Sequence, residues 1–62
     1  MPNIVMVVLA GTQPVRAAFR EMDNGQWRGK GVDDPSIEVT AATLNEAIDG
    51  FQRRASYAVD AA

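Results

Sequence analysis

Apolar positions along this chain change their spacing once, and the change separates a sheet-forming part from a helix. Ile4 to Leu9 is an unbroken apolar run, Val15 to Ala41 alternates between apolar and polar, and from Leu44 the apolar residues return every three or four positions. A period of two belongs to a strand and a period near 3.6 to a helix. The pattern predicts strands at about 3–10, 15–22, 27–32 and 37–41 and a helix at about 44–59. The fold class is therefore α+β, a single domain over residues 1–62. A small antiparallel sheet of three to four strands is followed by one C-terminal helix packed on one face, in the order β-β-β-β-α.

The helix carries the clearest signals. Thr43 and Glu46 have capping-box spacing, in which the hydroxyl accepts from the Glu46 N–H and the Glu side chain reaches back to Thr43. Leu44, Ala47, Ile48, Phe51, Ala55, Ala58 and Val59 form one apolar stripe, and Asp49 with Arg53 is a favourable i,i+4 pair. Gly50 interrupts good helix formers, which points to close approach of another backbone. Asp60 to Ala62 reads as a frayed tail.

In the first strand Ile4, Met6 and Val8 can face the helix, which turns Val5, Val7 and Leu9 the other way. So apolar a strand reads as buried on both faces, and one helix covers only one. The second face calls for a cover, a second copy of the chain or a partner, with Val5, Val7 and Leu9 as its contact residues. Gly11 to Pro14 is a turn by composition. VRAAFREM, Val15 to Met22, alternates as a half-exposed strand, with a short helix as the rival reading. The following Asp23-Asn24-Gly25-Gln26 decides for strand, since Asn-Gly signals a two-residue hairpin loop. Gly29 and Gly31 weaken the next strand and suggest a bulge or another backbone close by. Asp33-Asp34-Pro35-Ser36 is the next turn.

Composition narrows the chemistry. The chain has no cysteine and no histidine, so disulfides, thiolate nucleophiles, imidazole bases and their zinc sites are excluded. A formal charge of −2 is no footprint for wrapping nucleic acid. The opening apolar run is short and has no basic residue before it, which sets it apart from a secretory signal, and its length rules out a membrane span. A cytoplasmic, reducing location fits this composition.

The segment from Val15 to about Arg54 resembles the sheet-and-helix module of HicB-like antitoxins. In that family an acidic hairpin turn is followed by an aromatic that opens the next strand, a Pro turn of the form PDLPG, and a helix that opens TLEEA. Here Asp23-Asn24-Gly25 make the turn, Trp27 takes the aromatic place, Val32 to Ser36 stand where PDLPG would be, and Thr43-Leu44-Asn45-Glu46-Ala47 matches TLEEA. Val32 and Ser36 replace the first Pro and the Gly, and the strand at 3–10 precedes the family module. The resemblance implies a partial RNase H-like sheet with a helix on one face, in a bacterial or phage setting, acting by docking onto a small RNA-cleaving toxin. Family members often continue into a C-terminal DNA-binding domain. This sequence does not contain one, so operon autoregulation by it alone is not expected.

Asp33 and Asp34 with Glu21 or Asp23 are the one carboxylate cluster that suggests Mg²⁺, but adjacent Asp residues in a Pro turn are usually turn formers. No base, nucleophile or phosphate cradle accompanies them, so the chain reads as a non-enzyme without metal or other cofactor. Trp27 is either a core or rim aromatic under the helix or an interface anchor beside Arg28. Asp23, Asp33, Asp34 and Glu38 suit a basic groove on a nucleic-acid-processing partner, and by analogy the alternative within the binding class is a phage-encoded inhibitor of a host defence complex, of the anti-CRISPR type. The partner-binding candidates are thus Asp23, Trp27, Arg28, Asp33, Asp34 and Glu38. Arg16, Arg20, Arg28 and Lys30 can share one sheet face and offer the alternative of a small nucleic-acid-binding module.

Overall fold

The computed structural model describes the backbone of residues 3–61 and the side chains of residues 3–59. Four strands, β1 (Asn3–Ala10), β2 (Gln13–Glu21), β3 (Trp27–Gly31) and β4 (Glu38–Ala41), precede one helix, α1 (Leu44–Ala61). All neighbours are antiparallel and the sheet order is β1-β2-β3-β4, so β1 and β4 are the edges. This is the expected α+β arrangement, with α1 on one face of the sheet.

The helix-facing side chains are those the alternation selected. Ile4, Met6, Val8 and Ala10 on β1 pair with Phe19, Ala17, Val15 and Gln13 on β2. Val8, Ala10, Ala17 and Phe19 are buried against Ala47, Phe51 and Ala55 of the helical stripe, together with Ile37. The Phe19 and Phe51 rings meet edge to face at 5.8 Å and 74°, joining sheet to helix at the centre of the core. Leu44, Ile48, Ala58 and Val59 line its margin.

Helix entry follows the Thr43 signal with one difference. The Thr43 hydroxyl accepts from the Glu46 N–H at 3.2 Å, but the Glu46 carboxylate returns to that hydroxyl at 3.1 Å rather than to the Thr43 backbone N–H. At the other end Asp60 and Ala61 continue the helix, contrary to the frayed tail, because neither Gly nor Pro interrupts Val59-Asp60-Ala61. Ala62 lies outside the described residues.

Three loops also differ from expectation. β2 begins at Gln13, not Val15, because Gly11 at φ 64° lets Ala10 and Gln13 close a two-residue loop. Pro14 then sits inside β2 opposite Leu9, beyond the end of β3, so its missing N–H leaves no ladder position empty. The Asn-Gly loop has three residues rather than two. Gly25 N–H bonds to Met22 O at 2.9 Å and Met22 N–H to Gln26 O at 2.7 Å, with Gly25 alone at positive φ. A two-residue type I′ loop would need Asn24 at positive φ as well, and Asn24 instead accepts the Gln26 N–H on its side chain. Val32 and Ile37 fall just outside the strands they were assigned to.

The strand glycines separate in role. A Cβ on Gly29 would stand 2.5 Å from the Phe19 ring and 3.2 Å from Val39 Cγ2, so Gly29 makes room for a side chain, not a bulge or a backbone. At Gly31 a Cβ would collide with the Asp34 carbonyl, which is the backbone approach the sequence suggested.

Candidate interaction surface

One face of the sheet carries no helix. Alternation and register place Val5 beside Ala18, Lys30 and Glu38 in one row across it, and Asn3, Arg20, Arg28 and Thr40 in another. Val7 lies opposite Arg16 and Leu9 opposite Pro14. Val5, Val7 and Leu9 are 64%, 60% and 55% exposed, so nothing among the described residues covers the outer face of β1. In the single chain the outer face of β1 is thus open, as one helix on one face requires, and β1 is moreover an edge. The four basic residues of the alternation do share this face. The result is an apolar strip along β1 that borders a basic stripe across β2 and β3.

Partly compensated charges shape the stripe. Arg16 donates to both Asp33 carboxylate oxygens, at 2.7 and 3.3 Å. The hydrogen bond from Arg16 holds the Asp33 carboxyl below its ordinary pKa, and the same bond raises the guanidinium. Arg28 lies 3.6 Å from Glu38. Among the described residues Arg20 and Lys30 have no carboxylate within ion-pair distance.

The acidic candidates do not form one surface. Asp23 sits in the β2–β3 turn, and Asp33 and Asp34 in the loop at the opposite end of β3. Asp34 is a turn former: its side chain accepts from the Ser36 N–H at 3.2 Å and from the Ser36 hydroxyl at 2.6 Å. Glu21, at the Asp23 end of the sheet, pairs with Trp27. Among the described residues no three Asp or Glu side chains come together as metal ligands, which leaves the imagined Mg²⁺ cluster without geometry. Trp27 is half-buried on the helix side, packed against the core, whereas Arg28 beside it points to the uncovered face. Of the partner-binding candidates, the structure thus brings together only Arg28 and Glu38, while Asp33 is paired with Arg16, which was not among them.

Sequence reasoning missed a concavity on the helix side between β4 and α1. It is lined by Val39, Gly50, Arg53, Arg54 and Tyr57. Its sequence signals were Gly50 inside a helix and Tyr57 off the apolar stripe. No described helix is long and apolar enough to cross a membrane. No family model, curated protein or solved structure matches this chain.

Proposed function

We propose that this chain is a non-enzymatic binding module that docks its uncovered sheet face on a nucleic-acid-processing protein and inhibits it stoichiometrically, in the manner of an antitoxin. The observation that carries this reading is the exposed strip of Val5, Val7 and Leu9 beside Arg16, Arg20, Arg28 and Lys30. Apolar anchors beside arginines are the composition of protein interfaces, and such a strip left in water favours association. The nuclease-type partner rests on the HicB-like arrangement of Trp27, the Pro35 turn and the Thr43–Ala47 helix start. With the acidic residues dispersed and Asp33 and Glu38 engaged by arginines, the docking charge is basic, so the partner patch is apolar with an acidic rim. A second copy pairs along β1, making a homodimer.

Affinity capture with the intact chain, Val7→Lys and Arg20→Glu, followed by nuclease assay of what is retained, tests the reading. The intact chain should hold a nucleic-acid-processing protein at fixed ratio and silence it, and both variants should lose it. Capture that neither substitution weakens would remove the face from consideration. A second reading, a nucleic-acid-binding module, is favoured by the four basic side chains on one face. It requires a mobility shift with single-stranded RNA that weakens steeply as salt rises.

A further inference from the structure

The groove between β4 and α1 lies across the sheet from the face just described and rests on no part of that reading. Gly31 N–H bonds to Ile37 O at 2.9 Å, so by antiparallel alternation Gly29 and Val39 are the next bonded pair. Glu38 and Thr40 then turn their backbone N–H and C=O groups to the free edge. Above this edge α1 leaves an open groove of about 590 Å³ with Val39 and Gly50 at its floor and Arg53, Arg54 and Tyr57 along its helical wall.

Features of this groove go beyond what the fold needs. The close backbone approach expected at Gly50 is absent, since a Cβ there would meet nothing nearer than Val39 at 4.0 Å, an ordinary contact. Glycine inside a helix is nonetheless less favourable than alanine. Tyr57 is 78% exposed, the most exposed of the large hydrophobic side chains among the described residues. Arg53 is held by Asp49 at 3.0 Å, and Arg54 has no ion-pair partner among the described residues.

We propose that this groove receives an extended acidic segment of a partner protein, which adds to β4 as a fifth strand. Backbone groups of Glu38 and Thr40 supply the ladder, and alternate side chains of the segment face the helix, the geometry of strand addition to a sheet edge. One apolar side chain lies over Val39 and Gly50 against the Tyr57 ring, and Asp or Glu at a neighbouring position meets Arg54. Charge selects this occupant: the groove is lined by Arg54, which has no ion-pair partner among the described residues, and by no carboxylate, while Arg53 is already paired with Asp49.

A phage-displayed random dodecapeptide library panned on the intact chain, with the enriched peptide fluorescein-labelled for anisotropy and mapped by amide chemical shifts, tests the assignment. Enriched peptides should alternate apolar residues with Asp or Glu, and shift changes should concentrate at Glu38–Ala41 and Gly50–Tyr57. Gly50→Leu, which fills the groove, and Arg54→Glu, which reverses its charge, should each weaken binding at least tenfold, while Val7→Lys leaves it unchanged. Leucine is the better helix former, so Gly50→Leu should melt no lower than the intact chain, and Arg54→Glu alters only an exposed side chain. Acid-poor consensus peptides, shifts confined to the uncovered face, or full binding by Gly50→Leu would each overturn the assignment. So would tighter binding of a labelled uridine dodecamer at the same residues, or a second copy found paired on β4.

Discussion

Two glycines that look alike in the sequence sit in opposite environments. Gly29 has the Phe19 ring over it and Val39 beside it, whereas Gly50 faces open space out to Val39 at 4.0 Å. Gly29→Ala should therefore force Phe19 out of its edge-to-face contact with Phe51 and destabilise by about 1–3 kcal/mol, the usual range for overpacking a core. Gly50→Ala should stabilise by about 0.5–1 kcal/mol, because only the helical preference changes. Urea denaturation of the two variants measures both, and the opposite signs are what matters. Neither sign is readable from the chain alone, since the distinction rests on a cross-strand ring and on helix-to-sheet distance. A third residue-scale consequence concerns Asp33. Its carboxyl is lowered by the Arg16 hydrogen bond, so the small stabilisation of the pair is present above the ordinary carboxylate pKa and is lost as pH falls through the folded-state value. A carbon-detected NMR titration should show Asp33 titrating below the range of exposed aspartates, and Arg16→Gln should return it to that range. Because both partners are solvent-exposed, the melting temperature should follow this titration only weakly.

At the scale of elements, α1 was the most legible because its start, period and charge order agree. Its cap remains testable: Thr43→Ala should cost about 1 kcal/mol, the usual value of an N-cap hydroxyl, as read by thermal melting. A loss near zero would mean that the Ala47 N–H bond to Thr43 O already holds the first turn. The alternation in β2, β3 and β4 was legible for the same reason, and it placed Arg16, Arg20, Arg28 and Lys30 on one face. Loop lengths were not. Asn-Gly suits a two-residue loop and equally a three-residue one with a single αL glycine, and the choice depends on how Glu21 and Trp27 register across the hairpin. Position within the sheet was also hidden. A fully apolar run such as Ile4 to Leu9 belongs by composition at the centre, yet a meander in chain order puts the first strand at an edge. The β4–α1 groove was hard to read because its helical wall, Gly50 to Tyr57, becomes a groove only when α1 is set across Val39 of β4.

For the whole molecule the decisive quantity is how little the chain buries. Its buried core is Val8, Ala10, Ala17, Phe19, Ile37, Ala47, Phe51 and Ala55, in which half the residues are alanine and Phe19 and Phe51 are the largest fully buried side chains. A domain of this size gains proportionally more from association than a larger one. Two routes to a homodimer can be told apart. Stacking the uncovered faces would set Arg20 and Lys30 of one copy against the basic stripe of the other, a repulsion that salt relieves. Pairing along β1 avoids that. Ala10 and Gln13 close the first loop as a bonded pair, so Val5, Val7 and Leu9 direct their backbone groups to the free edge, where Gln52 already reaches Leu9 O at 2.9 Å. A two-fold centred on Val7 then sets Val7 opposite its own copy and Val5 opposite Leu9. Edge pairing requires a melting temperature that rises with protein concentration to a similar extent at low and high salt. In Val7→Lys two like charges would face each other across the axis, and the concentration dependence should vanish while the monomer stays folded, because position 7 is 60% exposed. Concentration dependence that appears only at high salt would assign the dimer to the stacked faces instead, and would leave the basic stripe covered and closed to a partner.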